Sequence, residues 1–210
     1  MRTLKRITLN RVLSLNLCKT REELLDLSNG RKWLTPVEIC DIAVDLPNEG
    51  VNPISPGDIF QLFRDLPVLS DSAWRLFACD CAEHVLELFV DRFPEDPEPR
   101  QCIESSRLYA VGKITKEEMA AVEKESARMC ESQKYRWKHQ RCFSGAIQAA
   151  KAAIYAADTT LAPAIAALHA ALQARIARGC RSGARTGYFP ESLWQIKRLR
   201  EYLRNLEKNS

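Results

Sequence analysis

Between Ala146 and Ala177 nearly every second residue is alanine, and this stretch restricts the possible folds more than any other part of the chain. Alanine has the highest helix propensity, and its short side chain lets two helix backbones come close together. Leu161, Ile165, Leu168, Leu172 and Ile176 recur within the stretch at three- and four-residue intervals, so we expect them to form a seam against another helix. Such a seam would suit either the interior of one chain or the contact between copies in an oligomer. Lys151 and Asp158 break the apolar run. With no stretch of about 18 apolar residues anywhere, a membrane-spanning helix is not expected.

Helix-start signals recur upstream. Thr20 to Glu23 is a capping box, with Gly30 as a plausible stop. Thr35–Pro36 with Glu38, and Ser55–Pro56 with Asp58, each place a capping residue before a proline whose missing N–H costs nothing at the first helical position. Pro47 to Pro56 reads as the loop between these two helices. Ser70 and Asp71 open a helix predicted to reach about Phe93. Its apolar face is Trp74, Phe77, Ala78, Cys81, Val85, Leu88 and Phe89, widened by Leu86, Val90 and Phe93 to more than half the circumference. A helix apolar over so much of its surface belongs in the centre of a fold.

The sequence FPEDPEPR (93–100) follows as a turn, with Asp96 expected to cap and Pro97 to open the next helix, which stops near Gly112. Thr115 to Glu118 is another capping box, and helical pattern then runs to about Asp158. That length predicts a break, placed near Ser144–Gly145. Gly179 to Gly187 reads as a connector lacking the spacing of a phosphate-binding loop, and a last amphipathic helix from about Pro190 buries Ile196, Leu199, Leu203 and Leu206. Residues 1–19 are ambiguous, although Leu13, Leu15 and Leu17 alternate as a short strand would. No strand–helix–strand alternation is present. The expected fold is all-α, a single multi-helix domain with Ala-rich packed helices and a short irregular or strand-like N-terminus.

A chain of 210 residues buries enough surface to fold without disulfides or metal. Its eight cysteines are dispersed with no CxxC, and Cys79 and Cys81 would point to opposite sides of their helix. Together with an N-terminus in which polar residues interrupt any signal-like apolar run, this suggests reduced thiols and a cytoplasmic address. The net charge of +4 is modest, but the charges are segregated, with acids dominating from Asp80 to Glu104 and bases from Lys134 to Lys151 and from Arg175 onward. Segregation of this kind suits either a charge-steered partner or internal pairing.

The polar stripe left on the 71–93 helix is Asp80, Glu83, His84, Glu87 and Asp91. A zinc site would need four ligands at a recognisable pair spacing, and the sequence offers neither that nor a nucleophile paired with a base. No catalytic residue, metal or cofactor is expected. The segment 134–141 interleaves Lys134, Arg136, Lys138 and Arg141 with Tyr135 and Trp137. These cations would suit phosphate contacts in a helical nucleic-acid-binding or phage-type regulatory protein, as would Lys197, Arg200 and Arg204. They suit better a helix whose aromatics pack inward while the cations reach out to water.

Two stretches, WRLFACDCAEHVLELF (74–89) and FPEDPEPRQCIESSRLYAVGKITKEEM (93–119), carry a resemblance. They are similar to an all-α family of immunity proteins found beside toxin genes in bacterial polymorphic-toxin loci. That family shows an ACDCAE-like helix, a PxDxxPR turn, a helix end of the form YAxGxI, an Ala-rich region and a closing helix with tryptophan and leucines. The last is matched here from Trp194 through Leu203, so the resemblance covers about 74–205. It implies an immunity-protein-like helical domain over 71–210; residues 1–70 match no part of it and are read from their own helix signals as an unassigned N-terminal helical region, the two expected to form one compact unit. The resemblance also implies a non-enzymatic, stoichiometric inhibitor of one toxin; on the residues themselves, nucleic acid and membrane are not expected as partners. Among the residues the resemblance points to are Asp80, Cys81, Glu83, Arg100, Arg107 and Tyr109. The partner-facing residues expected from the stripe and turn are Asp80, Glu83, Glu87, Asp91, Glu95 and Asp96, with Arg100 beside them.

Overall fold

The computed structural model describes residues 6–14, 20–45, 56–64, 66, 68–125, 144–182 and 188–208. The Ser55 cap, Leu15, Leu17 and the basic residues Lys134, Arg136, Lys138 and Arg141 lie outside them. In chain order the elements are β1 (Ile7–Thr8), α1 (Leu9–Leu13), α2 (Arg21–Leu27), β2 (Trp33–Leu34), α3 (Pro36–Asp45) and α4 (Pro56–Arg64), then α5 (Asp71–Val90), α6 (Glu98–Ala110) and α7 (116–125), and finally α8 (Ser144–Ala157), α9 (Pro163–Ser182) and α10 (Tyr188–Lys208). The fold is all-α. Its contacts divide it into two compact units, Met1–Leu69 with Ser192–Ser210, and Ser70–Glu191.

In the first unit the helices start where the caps predict. Thr20 Oγ1 accepts from the Glu23 N–H at 3.2 Å while Glu23 Oε2 accepts from the Thr20 N–H at 2.6 Å. Thr35 and Glu38 make the same reciprocal pair at the start of α3. Glu38 also binds the Arg31 guanidinium. Burial alone would raise the Glu38 pKa, but the Thr35 N–H and Arg31 outweigh it and hold the carboxyl below its usual range. Near the N-terminus the strand is Ile7–Thr8, paired antiparallel with Trp33–Leu34, and Leu13 is helical rather than extended. Buried side chains in this unit include Leu34, Ile39, Cys40, Ile59, Phe63, Leu199 and Leu203, and Asp41 of α3 accepts from Arg200 at 3.0 Å and Arg204 at 2.9 Å on α10.

The second unit is built around α5, which packs against α6, α8 and α9, with α8 also lying on α9. Ser70 caps it, its Oγ accepting from the Ala73 N–H at 3.2 Å. Twelve of its residues are buried, Trp74, Phe77, Ala78, Cys81, Val85, Leu88 and Phe89 among them, as its wide apolar face predicts. The helix stops at Val90, and α6 starts at Glu98, one residue later than expected, with Asp96 Oδ1 accepting from the Glu98 N–H at 3.1 Å. Gly112 ends α6 at φ 72°, a left-handed position where glycine carries no Cβ penalty. The buried Ser106 hydroxyl donates to the Ala156 carbonyl at 2.6 Å, tying α6 to α8. Arg75, also buried, donates to the Asp158 carbonyl at 3.2 Å and lies 5.0 Å from the centre of the Tyr109 ring.

The expected leucine seam is not the packed face of α9. Buried instead are Ala166, Ala167, Ala170, Ala171, Ala174 and Ala177, opposite a similar alanine set on α8 (Ala149, Ala150, Ala152, Ala153, Ala156 and Ala157). Ile165, Leu168 and Ile176 are only partly buried, and Leu172 is 43% exposed. The reason is geometric. Because α9 meets both α5 and α8, its contact face is wide, and small side chains let all three backbones close in while leucines would hold them apart. The buried Gly179 continues that face, so α9 runs through Ser182 and the predicted connector begins later than Gly179. Cys40, Cys79, Cys81 and Cys102 are buried free thiols. Among the described residues, no helix is long and apolar enough to cross a membrane.

Candidate functional site

Residues 80, 83, 84 and 87 are spaced i, i+3, i+4 and i+7, so α5 presents all four along one narrow edge of its otherwise apolar surface. Neighbouring helices supply an arginine at each end of this edge. Arg107 of α6 donates through Nη2 to Asp80 Oδ1 at 2.8 Å and to Glu83 Oε2 at 2.5 Å. One turn further on, Arg178 of α9 donates through Nη1 to Glu87 Oε1 at 2.7 Å and through Nη2 to the His84 carbonyl at 2.7 Å. Its Nε lies 3.7 Å from Glu191 Oε2, and that same oxygen is 2.8 Å from His84 Nδ1.

The two groups share one plan. Asp80 and Glu191 are 7% and 1% exposed at the side chain, while Glu83 and Glu87 are 58% and 59% exposed. Each arginine therefore links one buried carboxylate to one exposed carboxylate. Removing a guanidinium would take from each buried carboxylate one of the groups that offset its charge. The exposed ends contribute little stability, because water screens them. Chemically, the exposed carboxylates of Glu83 and Glu87 give this edge hydrogen-bond acceptors that solvent reaches.

The remaining acids fall further along. Asp91 and Glu95 are exposed, and neither makes a side-chain bond among the described residues, while Asp96 is half-buried as the cap of α6. Arg100 is exposed and forms no ion pair among the described residues, so the clamp on the acids of α5 is Arg107. Beside this turn the Glu98 carboxyl is pushed up to about 7, first by burial and then by the neighbouring Asp96 and Glu125 carboxylates. Arg107 was visible in the sequence as a residue of the family-like stretch. Arg178 and Glu191 carried no such signal, since their contacts to α5 span 91 and 107 residues of chain. Among the described residues, no group of three or more His, Cys, Asp or Glu side chains is arranged to hold a metal ion.

The model of a family described as Imm-5 like putative immunity protein matches residues 69–202 of the chain. No curated protein and no solved structure matches it.

Proposed function

Because the chain belongs to this Imm-5 like immunity-protein family, we propose that it is a non-enzymatic, stoichiometric inhibitor that binds a cognate toxin in the cytoplasm and blocks it. The observation that carries the reading is the family match, which spans the whole α5–α9 unit and the α5 edge described above. The geometry supports the reading in kind. Glu83 and Glu87 are exposed carboxylates, each bonded to an arginine of a neighbouring helix, and Asp91, Glu95 and Asp96 carry further acids past the end of α5 toward Arg100. A patch of this sign speeds encounter with a basic surface and orients it. Inhibition follows if the bound chain covers the toxin's active site or the surface its substrate needs.

The test is an affinity pull-down of the tagged full chain from its native lysate, with and without nuclease, followed by mass spectrometry. One protein retained in 1:1 yield in both lysates, whose toxicity on expression is relieved by co-expressing this chain, is the expected result. Recovery of nucleic acid, or of partners lost after nuclease treatment, would refute it and favour the cationic segment 134–141 as the binding element.

A further inference from the structure

The turn that closes α2 holds the chain's one asparagine–glycine pair, Asn29–Gly30. Both residues lie in the left-handed region, at φ 53° and 73°, and both are exposed. The Asn29 N–H donates to the Asp26 carbonyl at 2.9 Å and the Gly30 N–H to the Leu25 carbonyl at 2.7 Å, the paired bonds of a Schellman cap. The buried Ser28 hydroxyl braces the turn from inside, 2.9 Å from the Leu25 carbonyl and 2.6 Å from the Arg31 carbonyl. The Asn29 side chain makes no hydrogen bond among the described residues, and a Cβ built on Gly30 would meet nothing within 4 Å.

A reactive pair is thus held by a catch. The nitrogen of a glycine, unhindered by a side chain, attacks the amide carbon of a preceding asparagine. At Asn29 the N–Cγ bond forms, the Cγ–Nδ2 bond breaks, and ammonia departs with the Gly30 amide proton to leave a succinimide. Water then opens that ring, at Cγ to give aspartate or at the main-chain carbonyl to give isoaspartate. The attacking nitrogen is the one whose N–H is bound to Leu25, so the reaction cannot start while the cap is closed. Yet α2 is seven residues long with Leu24 its one buried residue, and a helix with so little burial opens locally far more often than the whole chain unfolds. Either acid product places negative charge at the C-terminal end of α2, where the helix dipole disfavours it, and isoaspartate also lengthens the backbone. The Ser28 carbonyl, which accepts from Arg31 Nε at 2.7 Å, belongs to the same turn, so the change reaches the Arg31–Glu38 pair at the start of α3.

We propose that Asn29–Gly30 is a self-modification site, in which each opening of the α2 cap lets the Gly30 nitrogen attack Asn29, so that the turn converts one way to isoaspartate and aspartate at a rate set by cap opening. The full chain is incubated at neutral pH, folded in buffer or unfolded in guanidinium chloride. After proteolysis, the peptide carrying residue 29 is scored by mass spectrometry for the gain of one mass unit and by chromatography for isoaspartate. The folded chain is expected to convert at roughly one-tenth to one-hundredth of the unfolded rate, the open fraction of such a turn. Ser28→Ala, which removes the brace, raises the folded rate about threefold or more. Thr20→Ala, which removes the cap at the other end of this short helix, raises it about fivefold. Both leave the unfolded rate unchanged. A folded rate equal to the unfolded one, or unmoved by both substitutions, overturns the proposal. So does an unmodified Asn29 in folded chain kept many times longer than the unfolded chain needs to convert.

Discussion

Enlarging one alanine of α9 should harm the protein more than truncating one of its leucines, the reverse of the usual order. Leu172 is 43% exposed, so little more than half of its side chain is withdrawn from water. A fully buried leucine contributes roughly 1.5–3 kcal/mol, and alanine's better helix propensity returns about 0.2 kcal/mol. Solvent fills the space left behind, so no cavity cost is added, and Leu172→Ala should cost about 1 kcal/mol. Ala170 is fully buried on the face that meets α5 and α8. Ala170→Leu forces three further carbons between closely approaching backbones, and overpacking of that kind costs about 1–3 kcal/mol or more. With three carbons and two neighbouring helices, the upper end of that range applies. In a chain of this length 1 kcal/mol shifts Tm by roughly 2–4 °C. Leu172→Ala should therefore lower Tm by about 2–4 °C and Ala170→Leu by about 6–12 °C, both read from circular dichroism at 222 nm and checked by urea unfolding with an unchanged slope. If Leu172→Ala proves the more damaging of the two, the leucines carry the packing after all and the alanine-faced account of α9 is wrong.

Two further outcomes follow from single residues. Glu98 has a folded-state pKa of about 7 against an ordinary 4.5, so its ionised form is disfavoured by folding. The resulting penalty is absent below about pH 4.5, grows as pH rises toward 7 and is complete above it, so Glu98→Gln should raise Tm at pH 8 and leave it unchanged at pH 4; an equal gain at both would remove the electrostatic explanation. Gly112 sits at φ 72°, and a Cβ built there meets nothing within 4 Å, so Gly112→Ala isolates the cost of the left-handed backbone, about 1 kcal/mol. A Tm drop of a few degrees is expected, and an increase would show that the turn relaxes to a different conformation.

Local chemistry made much of this fold readable before any coordinates. The caps at Thr20, Thr35, Ser70 and Thr115 act within four residues of themselves, so the sequence states their partners directly. The breadth of the apolar face on α5 similarly dictated that this helix be central. The α9 seam misled because spacing reports which residues share a face and not how wide a contact its neighbours demand. Leucines at helical intervals look like a seam whether they line it or flank it. At the candidate site the stripe Asp80–Glu83–Glu87 was legible for the same local reason. Its arginine and glutamate partners were not, since Arg178 and Glu191 reach α5 only through tertiary packing, and nothing in a charged residue's sequence neighbourhood names a partner about a hundred positions away.

The alanine-faced packing of α5, α8 and α9 has a consequence for how such a protein can change. Backbones already in close approach leave no slack, so each contact position tolerates almost one side-chain volume, and stability is concentrated there. Exposed positions such as Glu83 and Glu87 of α5, Leu108 of α6 and Val111 just past its end bear little of that load. Substitutions at those outer positions can therefore alter shape and charge while the helices beneath keep their places. Sequence can therefore drift at the rim of these helices while the alanine face beneath stays almost invariant in size.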